Sequence, residues 1–239
     1  MALQPWLKGT VVKIENETQD TKRFWIQIPD LNSFDFQPGQ FVTLDLPIHE
    51  KPTKRWRSYS IASWPDGTNV IELLIVLNPN GLGTTYLFEK VAVGSELILR
   101  GPQGIFTLKQ PFDSDLFFIC TGTGIAPFRS MLHYIQREHI PFSAIYLIYG
   151  CRKKNNLMYY EEMKALEGSM KNFHYIPTLS REVWEGREGY VHHVYEEICK
   201  NSLPAQFYLC GWKDMIDEAK DRIVKMGYEK KDIHLEIYG

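Results

Sequence analysis

The chain has 239 residues, 44% of them hydrophobic and 23% charged; these are ordinary proportions for a soluble globular protein, with length for one large domain or two of about 100–130 residues each. A formal net charge of -2 lacks the bulk basicity of a nucleic-acid binder, so no nucleic-acid partner is expected. No uninterrupted apolar run approaches the ~20 residues that span a bilayer, and the first residues carry no signal-peptide core, so a cytoplasmic protein without a membrane partner is expected.

In chain order, the first half reads as short strands. Residues 10–14 and 23–28 are strand-like, and the polar residues 16–20 separate them as a hairpin requires. Pro38-Gly39-Gln40 punctuates before the apolar–polar alternation over 41–46. Further strands are expected over 59–62, 70–76 and 96–99, with one short helix over 84–91. Strands at this spacing, with little helix between them, suggest an antiparallel barrel or sandwich. Three features stand out in this half, two of which suit a ligand. Lys51, Lys54, Arg55 and Arg57 lead into Tyr59-Ser60; an arginine beside hydroxyls at a strand edge clamps a phosphate bidentately, and Tyr59 suits a flat ring, a solvated basic loop being the plainer alternative. Gly81-Leu82-Gly83-Thr84-Thr85 enters the helix and also suits a phosphate, with an N-cap by Thr84 as the alternative. Gly101-Pro102-Gln103-Gly104-Ile105-Phe106 reads as a turn.

Polar residues 111–115 mark a boundary between expected domains over 1–110 and 111–239. Beyond it, Leu116-Phe117-Phe118-Ile119-Cys120 reads as a strand buried on both faces. Thr121-Gly122-Thr123-Gly124 then removes side chains where the backbone must turn, before a helix over 128–135 with Phe128, Met131, Leu132 and Ile135 on one side. Strand, glycine turn and helix start offer amide N–H groups and a dipole to an anion. A ligand-free tight turn accounts for the glycines equally well. Pro127 stands near the place of the third glycine, so the G-x-G-x-x-G fingerprint is absent. Strands over 144–150, 173–179, 206–211 and 233–238 alternate with helices over 159–166, 191–200 and 215–226, which gives a parallel sheet with helices on both faces. Ligands bind beyond the carboxyl ends of such strands, where Gly122, Gly150 and Gly211 lie. Cys120, Cys151, Cys199 and Cys210 show no C-x-x-C spacing, so no metal site is expected and reduced thiols fit best.

Taken together and in this order, these motifs resemble the ferredoxin–NADP(+) reductase superfamily over nearly the whole chain. Arg57-Ser58-Tyr59-Ser60 is similar to its R-x-Y-S flavin motif. The resemblance implies Arg57 on the flavin pyrophosphate, Tyr59 against the isoalloxazine and Ser60 near N5, with Ser58 in the same motif and Gly83 and Thr84 in a second phosphate loop. Thr121 to Ser130 resembles the nicotinamide-nucleotide loop, which implies coenzyme contacts from Thr123, Gly124, Ile125 and Pro127. Cys210-Gly211-Trp212-Lys213-Asp214-Met215 also matches and adds Gly211 and Met215. Ser180-Arg181 resembles the pair that holds the adenosine 2′-phosphate, with Arg152 assisting and Tyr190 nearby. Glu188 stands where several NADPH-specific relatives carry lysine. Glu236-Ile237-Tyr238 is similar to the acidic–x–Tyr ending in which an aromatic ring covers the flavin, although Gly239 follows here.

The resemblance therefore implies an N-terminal six-stranded antiparallel FAD-binding β-barrel followed by a Rossmann-like parallel α/β domain for NAD(P)H. The implied activity is hydride transfer between NADPH and bound FAD, with NADH as the alternative coenzyme, followed by one-electron exchange with a protein. Ser60, Cys210, Glu236 and Tyr238 would stand at the reacting rings. A ferredoxin or flavodoxin-like carrier, or an oxygenase component, is the implied partner of a monomeric enzyme. Rival readings are a free-flavin reductase, a reductase subunit of a multicomponent complex and a non-catalytic nucleotide sensor.

Overall fold

The structure is a computed structural model that describes residues 4–199 and 204–238. Contacts divide the chain into two compact units, Met1–Leu108 with Arg129–Tyr134, and Lys109–Phe128 with Ile135–Gly239.

In the first unit, β1 (Leu7–Asn16) and β2 (Thr21–Gln27) form the expected hairpin. The strands β3 (Phe41–Asp45), β4 (Trp56–Ser60) and β5 (Val70–Val76), helix α1 (Leu82–Glu89) and strand β6 (Glu96–Gln103) follow. The sheet runs β4-β3-β6-β1-β2-β5, every pair antiparallel, and a bridge between Ile61 and Leu73 joins its two ends into the expected barrel. Alternate residues turn inward, so Val11, Phe24, Ile26, Leu44, Leu73 and Leu99 are at most 1% exposed. Each such side chain contributes about 1.5–3 kcal/mol by leaving water.

The hairpin strands β1 and β2 start earlier than expected, and three further differences bear on the site. Strand β4 begins at Trp56, three residues early, because Arg57 pairs with Leu44 and Ser58 with Thr43 across β3. Arg57 therefore belongs to a strand and not to a basic loop. Strand β6 continues to Gln103, which pairs with Phe41; the expected turn starts only at Gly104, where φ is +102°. Helix α1 begins at Leu82 with Gly81 as its N-cap, so Thr84 lies inside the first turn and does not cap it.

The second unit alternates as the sequence implies. It contains β7 (Asp115–Thr121), the two ends of α2 (Ile125–Arg137), whose residues Arg129–Tyr134 count with the first unit, β8 (Ile145–Cys151), α3 (Tyr160–Ser169), β9 (Phe173–Leu179), β10 (Arg187–Glu188), α4 (Val191–Ile198), β11 (Ala205–Trp212), α5 (Lys213–Lys225) and β12 (Ile233–Tyr238). All strand pairs are parallel in the order β10-β9-β8-β7-β11-β12. Phe117, Ile119, Phe207 and Leu209 pack with residues of α4 and α5 on one face. Phe118 faces the other way and stacks on Phe128 of α2, centroids 4.9 Å apart. Helix α2 begins at Ile125, directly after a 3-10 turn over Gly122–Gly124. Pro127 sits in its first turn, where a missing N–H costs nothing. Strand β10, two residues long, has no periodicity to announce it. Lys200, the expected end of α4, and Gly239 lie outside the described residues.

Candidate cofactor sites

In the first unit, the pleat of β4 sends Arg57 and Tyr59 to one side and Trp56, Ser58 and Ser60 to the other. The Ser58 hydroxyl lies 3.0 Å from Thr43 Oγ1, which donates to Gln103 Oε1 at 3.1 Å. Ser58 is thus already hydrogen-bonded on the side away from Arg57. Ser60 is 5% exposed. Burial pushes the Tyr59 phenol up to about 12, with the Arg57 charge pulling the other way, so the ring stays neutral across the physiological range.

Arg57 is held by its own neighbours. Its Nη1 donates to the carbonyls of Trp56 at 2.7 Å and Lys54 at 3.1 Å, and among the described residues no carboxylate pairs with it. Gly83 packs directly on this side chain: a Cβ there would stand 2.9 Å from Arg57 Cγ and 3.1 Å from Nε. Only glycine lets the first turn of α1 close on the arginine. The Thr84 hydroxyl lies within hydrogen-bond distance of Gly81 O at 3.2 Å and Asn78 O at 3.1 Å, and accepts from Asn78 N at 3.0 Å, which pins the loop. An unmatched guanidinium against a glycine turn, whose first N–H groups have no helical acceptor, fits a pyrophosphate. Of the other expected cations, Arg55 is bound to Asp45 through both Nε and Nη2, while Lys51 and Lys54 are exposed.

In the second unit the ends of β7 and β11 close on each other through glycines. A Cβ on Gly124 would stand 2.8 Å from the Cys210 carbonyl carbon, and one on Gly211 would stand 2.5 Å from Thr121 Oγ1 and 2.8 Å from Met215 Cε. At Gly122, φ of +54° suits glycine. Thr121 Oγ1 is buried with no hydrogen-bond partner among the described residues, an orphaned polar atom at a strand end where such folds take ligands. Ile125 and Pro127 are buried, so they shape the turn from behind. Thr123 is half-buried.

Cys210 stands in register between Cys120 on β7 and Glu236 on β12, and two residues further along the same ladder Trp212 pairs with Tyr238. Three of the four residues expected at the reacting rings, Cys210, Glu236 and Tyr238, are therefore neighbours. Burial pushes the Cys210 thiol well up; the Glu236 charge adds to this and a hydrogen bond with Tyr238 opposes it. Burial, with Cys210 and Cys151 nearby, does the same to Cys120.

Beyond β8 and β9 the main chain stays paired, with Ser180 N on Cys151 O at 2.9 Å and Arg181 N on Arg152 O at 3.0 Å. Arg152 and Arg181 thereby emerge side by side and exposed, and among the described residues neither meets a carboxylate. Arg181 also lines a surface depression with Lys153, Lys154, Asn155 and Glu182. Lys154 is taken by Glu185 at 2.5 Å, and Arg187 by Glu197 at 2.7 Å. Glu188 is exposed in β10. Tyr190, before α4, is 64% exposed, a free face for a planar base. The sequence passed over Thr121 and Cys120 as site residues; their signal is position, at the carboxyl end of the strand that enters the glycine turn.

A family model describing the oxidoreductase FAD-binding domain matches residues 8–108, and one describing the oxidoreductase NAD-binding domain matches residues 118–221. The chain is 34% identical over 218 residues to ferredoxin–NADP reductase B of Sorangium cellulosum, covering 87% of this chain and 88% of that protein. It belongs to the ferredoxin–NADP(+) reductase superfamily. This member of the superfamily carries an FAD-binding domain followed by an NAD-binding domain, as an NAD(P)H oxidoreductase does. It is also 36% identical over 195 residues to the anthranilate 1,2-dioxygenase electron transfer component of Acinetobacter baylyi, covering 80% of this chain but only 54% of that protein. The chain thus spans about half the length of that relative. The crystal structure of the Amycolatopsis cytochrome P450 reductase GcoB superposes with a TM-score of 0.88 at 25% identity, over 99% of this chain and 71% of that one.

Proposed function

We propose that the protein oxidises NADPH through bound FAD and passes electrons to a protein acceptor, a ferredoxin, a flavodoxin-like carrier or an oxygenase component. The observation that carries this reading is the unmatched Arg57 guanidinium lying against Gly83 at the start of α1, because a pyrophosphate supplies the charge that cradle lacks. Bound FAD would supply the redox chemistry, two-electron uptake from the coenzyme and one-electron release. The protein's own residues bind, orient and control charge. Arg57, Gly83 and Thr84 would hold the diphosphate, Tyr59 would lie along the flavin ring and the Ser60 hydroxyl would donate toward N5, with Ser58 supporting the strand. Thr123, Gly124, Ile125, Pro127, Gly211 and Met215 shape the nicotinamide turn. Cys210 packs against the nicotinamide as a neutral thiol, Glu236 stabilises charge or relays a proton, and Tyr238 supplies the covering ring. Ser180, Arg181 and Arg152 bind the 2′-phosphate, and Tyr190 faces the adenine. For the domain limits we propose 1–110 and 111–239. Holding two rings together lowers the barrier chiefly by positioning, about 7 kcal/mol in a favourable case.

A second reading, a reductase component of an oxygenase system, is favoured by the likeness to the anthranilate 1,2-dioxygenase component. It differs only in the acceptor. We place the protein in the cytoplasm as a monomer; no helix among the described residues is long and apolar enough to cross a membrane. Steady-state reduction of an artificial acceptor with each pyridine coenzyme tests the proposal. Turnover with NADPH ahead of NADH is expected, and no oxidation of either coenzyme by flavin-loaded protein overturns it.

A further inference from the structure

Strand β5 is apolar except at its third residue. Glu72 is 2% exposed, and a carboxylate so placed is tolerated only when fully partnered. Arg23 grips it through Nε to Oε1 at 2.6 Å and Nη2 to Oε2 at 3.2 Å. Arg129, itself 4% exposed, donates from Nη1 to Oε2 at 3.0 Å. The same Nη1 donates to the carbonyl of Ala62 at 2.8 Å. All of these residues belong to the first unit.

The Ala62 contact gives the pair a task beyond burial. Ala62 lies two residues past Ser60, on the chain that leaves β4. Its N–H donates to Glu72 O at 2.8 Å. Ser63 Oγ accepts from Glu72 N at 2.9 Å. The Trp64 ring stacks on His133, centroids 4.0 Å apart, with the Arg129 guanidinium 5.3 Å from its centre. Arg129 and His133 are four residues apart and so share one helix face. Three consecutive residues after the R-x-Y-S strand are therefore gripped, each by a different contact, from Glu72 and that face.

We infer that Arg129 is a positioning residue for the flavin: with Glu72 it clamps residues 62–64 and so fixes where Tyr59 and Ser60 stand. The inference rests on the flavoprotein reading above. A buried ion pair adds little net stability, but a main-chain carbonyl held by a rigid guanidinium sets the end of the strand in one place. Misplacing a binding group by about 1 Å costs on the order of a hundredfold in rate.

The test uses the full-length holoprotein with Arg129→Met and Arg129→Lys, and Val11→Ala in the barrel core as a control for general destabilisation. FAD dissociation is followed by flavin fluorescence and reduction by NADPH in stopped flow. Arg129→Met is expected to weaken FAD about tenfold or more and slow its reduction about a hundredfold, while the KM for NADPH moves far less. Arg129→Lys, which keeps the charge and one donor, restores most of both. FAD affinity and reduction rate within about twofold of the parent overturn the clamp, as do losses no larger than those of Val11→Ala at equal melting temperature. If Arg129→Met does not fold, Glu72→Gln is read in the same way. A parent protein that takes up no FAD sinks the flavoprotein reading itself, whereas a parent that binds FAD beside an unaffected Arg129→Met sinks only the clamp.

Discussion

Arg57 and Arg181 present the same chemistry at two places, a guanidinium with no carboxylate among the described residues. A charge-assisted bond to phosphate is worth about 1.5–3 kcal/mol. Arg57→Ala is therefore expected to weaken FAD about 10–100-fold in a fluorescence titration with the fold intact. Arg181→Ala is expected to weaken NADPH by a similar factor and to leave NADH nearly unchanged; equal losses would remove the case for 2′-phosphate recognition. The thiols behave oppositely to catalytic nucleophiles. Burial raises Cys120 and Cys210 well above the ordinary value of 9.0 and Cys151 to about 11. Below pH 9 both folded and unfolded chains hold these protons, so the stability they confer is whole. Above it the unfolded chain sheds protons that the native chain keeps, so stability falls as pH rises. Denaturant melts across pH 7 to 10 are expected to show that fall, and at pH 8 a thiol reagent is expected to react slowly until the protein unfolds.

At the scale of elements, the sequence showed most where one pattern dominates. Strand β5, strand β9 and strand β12 stand where alternation or an apolar run placed them, since nothing local competes with burial there. Ends were legible only when a turn residue marks them. Strand β4 begins early because its pairing with β3 overrides a basic composition that reads as loop, and β10 exists only through its ladder with β9. The site was half legible. Glycines, arginines and the cysteine–glycine pair announce themselves by type and position, but the partner that leaves one arginine free and occupies another does not. Residue type and local charge do not separate Arg55, bound to Asp45, from Arg57; only the likeness of residues 57–60 to the R-x-Y-S motif does. Glu72 did carry a signal, a lone carboxylate inside an apolar strand, which demands a buried cation. Gly83→Ala is expected to displace Arg57 and weaken FAD while melting changes little, because the added methyl meets a flexible side chain. Phe118→Ala, by contrast, removes a stacked ring from the core and is expected to cost about 3–5 kcal/mol in denaturant unfolding.

For the whole molecule, a net charge of -2 gives no general attraction to an acidic partner, so any steering rests on local cations such as Lys51 and Lys54. Reversing both is expected to raise the KM for an acidic ferredoxin at low salt and to leave reduction of a neutral dye unchanged. The central claim is that one chain binds FAD and hands it the electrons of a nicotinamide coenzyme. Its most direct test is the visible spectrum of the purified, FAD-saturated protein during anaerobic titration with NADPH. The account predicts a flavin band in near-stoichiometric amount that bleaches as coenzyme is added; protein that takes up no flavin, or a band that persists under excess NADPH and NADH, would contradict it.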